Sequence, residues 1–185
     1  MDVSRLFAEY RPRTGAEAAP FPESLVIRDA APADVGAMAR IAQERNGGDV
    51  ASHASALERQ MRNGAIVLAA AVHGRVVGYG KAGVFTPPAD APGNCAPAGW
   101  YLTGVTIEPA MRRRGIGLAL TRARLVRAAA LTDRAYYFAS ALNRASIDLH
   151  ARLGFVEVTR DFWFPETSFS GGVGILFRAD LGGRL

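Results

Sequence analysis

The feature that most constrains the fold is a run of three arginines directly before a glycine turn and a helix. Residues 100–109 (WYLTGVTIEP) predict a β-strand that ends at Pro109, and RRRGIG follows within three residues. A helix predicted from Gly115 to about Leu131 comes next. The first turn of a helix offers unpaired N–H groups and partial positive charge, and glycine lets a ligand approach the backbone closely. This order predicts a phosphate or pyrophosphate site, with an ordinary surface turn as the alternative.

Most of the net charge of the chain lies in the same segment. The 185 residues have a net charge of +5. Between Pro109 and Arg134, seven arginines stand against one acid, Asp133, so the remainder of the chain is slightly negative. Nucleic-acid binding would require aromatic or groove-binding elements interleaved with the charge, and we expect no nucleic-acid partner. Among the 22 basic residues only Lys81 is a lysine, which we attribute to compositional bias.

Length and composition predict one cytoplasmic domain. A chain of 185 residues is long enough to bury a sizeable core, and its single cysteine, Cys95, excludes an internal disulfide framework. No run of about 18 apolar residues occurs and the first residues do not resemble a signal peptide, so we expect no membrane partner. The histidines lack the spacing of a metal site, so no metal is expected.

The order of predicted elements indicates an α/β fold. Residues 1–24 are predicted to form an extension, partly helical or flexible, and residues 25–185 the domain. From residue 25 the pattern is β-α-α-β-β-β-α-β-α-β-β, which predicts a mixed sheet with helices on both faces. In the helix after the glycine turn, the spacing predicts an apolar face that includes Leu120 and Val126.

The glycine turn differs from two familiar phosphate loops and resembles a third. Leu120 stands where a dinucleotide fingerprint has its third glycine, and the turn lacks the lysine of a Walker loop. TIEPAMRRRGIGLAL instead resembles the acetyl-coenzyme A (acetyl-CoA) signature of the GNAT N-acetyltransferase superfamily. That signature is Q/R-x-x-G-x-G/A after a strand that ends in proline, and Arg112, Gly115 and Gly117 fill it.

A second segment further along the chain is also similar to this family. NRASIDLHARLGF resembles the motif N-x-x-A/S-x-x-L-Y-x-x-x-G-F, with five positions matched: Asn143, Ser146, Leu149, Gly154 and Phe155. The two motifs have the order and spacing of the family. The resemblance implies a GNAT-like three-layer α/β fold with a mixed, mostly antiparallel sheet of about seven strands. It also implies that the parallel strands at 100–108 and 135–142 splay apart.

The resemblance further implies acetyl-CoA as co-substrate and assigns residues to it. Backbone groups of Val105, Thr106 and Ile107 would pair with the pantetheine arm, and Asn143 would contact the cofactor. The pyrophosphate would bind at the turn, for which the resemblance implies these residues: Arg112, Arg113, Arg114, Gly115, Ile116, Gly117 and Leu118.

His150 and Glu108 are the candidate catalytic residues. His150 stands where many members of the family have a tyrosine that protonates the departing thiolate, and an imidazole with a pKa of about 6.5 can supply that proton. The helical spacing of Ile147, His150 and Leu153 equally suits a buried histidine of the core. Glu108 could be the general base or a surface cap. Asp161, Glu166 or an ordered water without a dedicated base are the alternatives.

The sequence thus predicts an N-acetyltransferase that moves an acetyl group from acetyl-CoA to a primary amine of a small molecule by direct attack in a ternary complex. A protein or peptide amine as acceptor, a longer acyl donor and a non-catalytic CoA-binding module remain alternatives. A homodimer is expected from the resemblance. The aromatic residues Trp100, Tyr101 and 162–164 suit a core better than a pocket, with Trp163 as the exception.

Overall fold

The computed structural model describes residues 20–182, which contain one seven-stranded sheet and four α-helices. The strands are β1 (Leu25–Asp29), β2 (Ile66–Val72), β3 (Arg75–Phe85), β4 (Gly99–Ile107), β5 (Arg134–Ser140), β6 (Val156–Thr159) and β7 (Gly174–Asp180). The helices are α1 (Val35–Asn46), α2 (Val50–Arg62), α3 (Ile116–Ala129) and α4 (Arg144–Ala151).

The sheet has the order β1-β2-β3-β4-β5-β7-β6, in which β4 and β5 are parallel and all other neighbours antiparallel. The predicted element order and the mixed sheet with one parallel pair are confirmed. The predicted extension over residues 1–24 lies mostly outside the described residues, which begin at residue 20. Within residues 20–182, no helix combines the length and the apolar character needed to cross a bilayer.

Two helical layers cover opposite faces of the first strands. Side chains alternate between the faces of a strand. Val67 and Ala69 of β2 therefore pack with α1 and α2, while Leu68 and Ala70 pack with Ile116 and Leu120 of α3.

An aromatic cluster fills the sheet face beside α1 and α2, on the side of β5 and β7. Tyr101 stacks on Tyr136, with ring centroids 5.2 Å apart, and Phe164 packs against both Tyr101 and Phe138. The backbone of Trp163 is hydrogen-bonded to the loop 87–99. Ala96 N donates to Trp163 O (2.9 Å). Most of these aromatic residues form a core, and the Trp163 side chain is 36% exposed.

The parallel strands β4 and β5 pair over only two residues and then diverge. Trp100 lies opposite Ala135 and Tyr101 opposite Tyr136, with no further pairs between these strands. On the other edge of β4 the register with β3 shifts between Gly80 and Ala82, and Gly104 has a φ of 106°. This bulge bends β4 away from β5, so a gap opens along residues 104–107.

Candidate active site

The edge of β4 that borders the gap is formed by Val105 and Ile107. Glu108 N donates to Val77 O (3.0 Å) on the β3 side. Backbone groups of successive residues face opposite edges of a strand, so Thr106, which is paired with Tyr79, also faces β3. Of the three residues expected to pair with a ligand, the backbone register therefore turns only Val105 and Ile107 toward the gap.

Two arginines already bond to the carbonyl groups on this edge. Arg45 Nη1, from the last turn of α1, donates to Val105 O (2.7 Å). Arg112 Nε donates to Ile107 O (3.1 Å). The pKa of Arg45 is lowered by burial and by the positive charge of Arg112. The gap is therefore lined by two neighbouring guanidinium groups, and the N–H groups of Val105 and Ile107 are its main-chain donors.

The glycine turn places N–H groups that have no acceptor within helix α3 at the end of the gap. After a short 3-10 turn over Pro109–Met111, Arg113 (φ 65°) and Gly115 (φ 80°) adopt left-handed backbone conformations. The first hydrogen bond of α3 runs from Ala119 N to Gly115 O (3.0 Å). The N–H groups of residues 116–118 consequently have no acceptor four residues earlier within the helix. This is the geometry expected for an anion cradle.

Gly115 and Gly117 differ in how strictly the turn requires a glycine. The left-handed φ of Gly115 is strained for residues with a Cβ, and a Cβ there would lie 3.0 Å from Phe21 Cδ2. A Cβ at Gly117 would lie 3.4 Å from Leu149 Cδ1. Gly115 is required by the backbone, whereas a Cβ at Gly117 would only make ordinary contacts with Leu149 and Ile107.

The seven arginines of this segment are spread over four environments. Arg112, Arg113 and Arg114 lie at the turn. Arg127 and Arg134 pair with acids at the other end of α3, namely Asp29 (2.8 Å) and Asp180 (3.4 Å). Arg122 is exposed and Arg124 is buried. The net charge of the segment therefore overstates the charge available at the turn.

Arg124 is fully buried beneath the bulge of β4. Its Nη1 donates to Lys81 O (2.8 Å) and Gly104 O (3.2 Å), and its Nη2 donates to Thr121 Oγ1 (2.9 Å). Burial lowers the pKa of Arg124 to about 9, so the guanidinium remains charged at neutral pH. The side chain fixes the two strands at the point where the gap opens. Sequence reasoning missed it, although its spacing of four residues from Leu120 is the pattern of a shared helix face.

A cavity of about 220 Å³ lies beside the gap, on the face of the sheet that α1 covers. Its lining includes Arg45, Asn46, Tyr79, Lys81, Thr103 and Thr106. Burial lowers the pKa of Lys81. Its ammonium group has no hydrogen-bond or ion-pair partner within residues 20–182. Lys81 was not predicted, and its being the single lysine of the chain was the available indication.

His150 is a buried histidine of the core. Its ring stacks on Tyr137 with centroids 3.7 Å apart, and Nδ1 lies 2.8 Å from Ser146 O. Because a carbonyl only accepts, Nδ1 carries the hydrogen, and Nε2 of the neutral ring has none to donate. Burial lowers the pKa of His150 to about 3. Its predicted role as general acid stays a prediction, and these surroundings favour the structural alternative.

Asn143 forms the N-cap of α4. Its Oδ1 accepts a hydrogen bond from Ser146 N (3.2 Å), as is typical of a cap. The side-chain NH₂ is then the group that can donate to a ligand. The predicted contact with a cofactor is compatible with this arrangement.

Glu108 lies at the turn end of β4. Arg75 Nη1 contacts both of its carboxylate oxygens, at 2.6 and 2.8 Å. It is four positions along the chain from Gly104, which corresponds to about 13 Å along a strand. The position and the ion pair agree with the surface-cap alternative, and the predicted role as a base stays a prediction. Asp161, a second candidate, accepts from Asn94 Nδ2 (2.7 Å).

The comparisons with known proteins identify the family. The model of the GNAT acetyltransferase family matches residues 36–155, and the chain belongs to this family. A search of curated protein sequences finds no match. Within residues 20–182, no three His, Cys, Asp or Glu side chains are grouped as metal ligands.

Solved structures of this family have the same fold. One is yncA from Salmonella typhimurium with its cofactor acetyl-CoA (20% identity, TM-score 0.67, 88% of this chain and 96% of that chain). Another is a phosphinothricin acetyltransferase from Sinorhizobium meliloti in complex with acetyl-CoA (21%, 0.66, 86% and 89%). A third is a ribosomal-protein-alanine N-acetyltransferase from Brucella melitensis (24%, 0.65, 84% and 99%).

Proposed function

We propose that this chain transfers an acetyl group from acetyl-CoA to a primary amine of a small molecule, by direct attack in a ternary complex. The gap between β4 and β5 supports this most, because it leads directly to the N–H groups of the glycine turn. A strand edge followed by an anion cradle suits a ligand with amide groups and a pyrophosphate. Two proteins with this fold, yncA and the phosphinothricin acetyltransferase, are solved with acetyl-CoA.

The residues present fit this co-substrate. The N–H groups of Val105 and Ile107 would bind the pantetheine arm, and those of residues 113–118 the pyrophosphate. Arg45 and Arg112 occupy the carbonyl groups of the same edge. We therefore expect an arm that also pairs with Val105 O to displace the Arg45 guanidinium.

The acceptor amine must be neutral and must lie beside the thioester of acetyl-CoA before it can attack. The amine nitrogen attacks the carbonyl carbon of the thioester, the N–C bond forms and the C–S bond breaks, and CoA leaves as a thiolate that takes up the proton lost by the nitrogen. The positive charges of Arg45 and Lys81 lower the pKa of an ammonium group bound in the cavity. Deprotonation by an ordered water then suffices, and Glu108, about 13 Å along the strand, is not needed as a base.

The size of the cavity supports a small acceptor. Its volume of about 220 Å³ is below the range of about 300–1,000 Å³ that is usual for drug-sized ligands. An amine of a protein or peptide is the second candidate, because the Brucella melitensis neighbour is a ribosomal-protein-alanine N-acetyltransferase.

Thiol release from acetyl-CoA tests this proposal. The purified chain is assayed with small primary amines and, in parallel, with peptides that have free N-termini. Saturable release with a small amine, and a matching acetylated product by mass, is the expected result. Release only with peptides would favour the second candidate. Tight acetyl-CoA binding without release by any amine would identify a CoA-binding module.

We also propose a cytoplasmic homodimer. The edge strand β6 exposes Val156 and Val158 (58% and 48%), which a second copy could cover. Light scattering on the purified protein measures the assembly. Replacing both valines by threonine should yield monomers if this edge forms the interface, and an unchanged dimer would place it elsewhere.

A further inference from the structure

The cavity beside the gap has an unusual balance of charge for an amine acceptor. Its two charged lining residues, Arg45 and Lys81, are both cations. The other side chains that line it are neutral, and none is a carboxylate. An acceptor amine arrives mostly as an ammonium ion, which two cations repel. The cavity lining thus offers no negative charge to the ammonium form of an acceptor.

Of the two cations, Lys81 gives the stronger indication that the cavity binds an anion. It lies on β3, two residues from Tyr79 and so on the same face of the sheet, and the cavity lies above both. Its ammonium finds no anion among residues 20–182. Elsewhere the described chain satisfies many arginines with acids, as Arg75 with Glu108 and Arg127 with Asp29. A cation without a counter-ion in a half-buried cavity lacks the compensation that charged groups usually have.

Arg45 reaches the same cavity from the last turn of α1. One of its five N–H donors is used by Val105 O. The remaining donors are those a planar guanidinium offers to a carboxylate or phosphate group. The charge of Arg112 acts on Arg45 as well, which extends the positive region from the turn to the cavity.

We infer that the cavity binds an acceptor that carries a carboxylate or another small anionic group beside its amine, with Lys81 and Arg45 as the partners of that group. This rests on the proposed function and names the class of its substrate. The attraction between this anion and the two cations binds the acceptor, although its ammonium group is repelled by the same cations. It also holds the amine near Gly104, where the gap opens.

The first test does not depend on turnover. Because Lys81 is the only lysine, peptide mapping follows its acylation by the uncharged reagent N-succinimidyl acetate. N-acetyl-L-leucine, N-acetyl-L-leucinamide and inorganic phosphate serve as probes. At saturation we expect N-acetyl-L-leucine or phosphate to slow labelling at least about fivefold through a charge-assisted contact, and the uncharged amide to have no effect.

Two variants locate that protection. Arg45→Met should abolish it, whereas Arg62→Met, which removes one exposed charge from α2, should retain it. Equal labelling with and without both anions overturns the inference. Protection by the amide as strong as by the acid overturns it too.

The second test compares acceptors that differ in one group. Thiol release from acetyl-CoA is measured with L-amino acids and with their carboxamides. We expect kcat/KM to be at least about tenfold higher for the acids. Lys81→Met should bring the ratio close to one and Lys81→Glu should invert it, with Arg62→Met as the unchanged control. A preference that survives in Lys81→Glu contradicts the inference.

The two tests separate this inference from the proposed function. Anion protection of Lys81 without acetyl-CoA binding would mean that the cavity is an anion site in a chain that does not transfer acetyl groups. Acetyl transfer to simple amines without any protection would keep the proposed function and reject the anionic acceptor.

Discussion

Two positively charged regions border β4, and they are built in different ways. The glycine turn consists of residues 112–118, which are consecutive, and its ligand contacts are N–H groups of the backbone. The cavity takes Arg45 from α1, Lys81 from β3 and Thr103 from β4, and it uses side chains. A local site is visible in the order of the chain, whereas a site assembled from distant segments exists only after folding. We expect the glycine turn to bind the pyrophosphate of acetyl-CoA and the cavity to hold the acceptor amine that reacts.

Gly115→Val should have the largest effect of the variants, because it should impair binding at the turn and leave the cavity unchanged. A β-branched residue at a φ of 80° is strained, and the strained turn misplaces the first N–H groups of α3. We expect acetyl-CoA affinity to fall by about 100-fold or more, or about 3 kcal/mol, while anion protection of Lys81 is unchanged. Titration calorimetry measures the affinity. Gly154→Val is the control, because Gly154 (φ 85°) has the same backbone strain with no atom within 4 Å of an added Cβ.

Arg124→Ala tests the element that connects the regions, since α3 begins at the turn and Arg124 bonds to Gly104 O beside the cavity. The change leaves a void and removes a donor from two carbonyl groups. We expect a loss of about 3 kcal/mol or more in the free energy of unfolding. The exposed neighbour Arg122→Ala should change it by less than about 0.5 kcal/mol. Urea unfolding measures both, and equal stabilities would show that Arg124 is dispensable.

Substitutions of His150 test whether a residue outside the cavity also takes part in the reaction. Its pKa is about 3 in the folded chain and about 6.5 when unfolded. Between these values the unfolded chain binds more protons, so stability falls as the pH is lowered through this range. We expect His150→Phe to remove a few kcal/mol of this acid sensitivity and to keep kcat near pH 7.5 within about twofold of the wild type.

A large loss of kcat in His150→Phe at unchanged acetyl-CoA affinity, with turnover kept in His150→Tyr, would establish a general acid. His53→Phe, at a histidine outside the site, controls for the loss of an imidazole. Acid unfolding is followed by circular dichroism at several pH values.

Glu108→Gln should have the smallest effect. The ion pair with Arg75 is largely exposed on the arginine side, so its loss should cost less than about 1 kcal/mol. We expect kcat to stay within about twofold, whereas loss of a general base would lower it by about 100-fold or more. Arg75→Gln breaks the same pair and is the matched control. A large loss of kcat in Glu108→Gln, but not in Arg75→Gln, would show that Glu108 acts as the general base.

The fold was predictable because each element has its own local pattern. Two apolar runs joined at His73-Gly74-Arg75 are the pattern of a hairpin, and β2 and β3 form one. The apolar face of α3 was predicted less well. Val126 was placed on it and is 57% exposed, while Arg124 is buried. Helical periodicity sorts apolar from polar residues, so an arginine that bonds to distant carbonyl groups escapes it.

The sequence by itself determined the family, the element order and the glycine turn, because a strand, a turn and a helix that follow one another need no distant partner. Only the tertiary structure decided which backbone groups of β4 face the gap, that Arg124 is buried and that His150 is stacked within the core. Only the tertiary structure places Lys81 and Arg45 in the same cavity. These properties depend on strand register or on contacts between residues 13 or more positions apart, such as His150 with Tyr137 and Arg124 with Gly104. Local sequence patterns do not encode either.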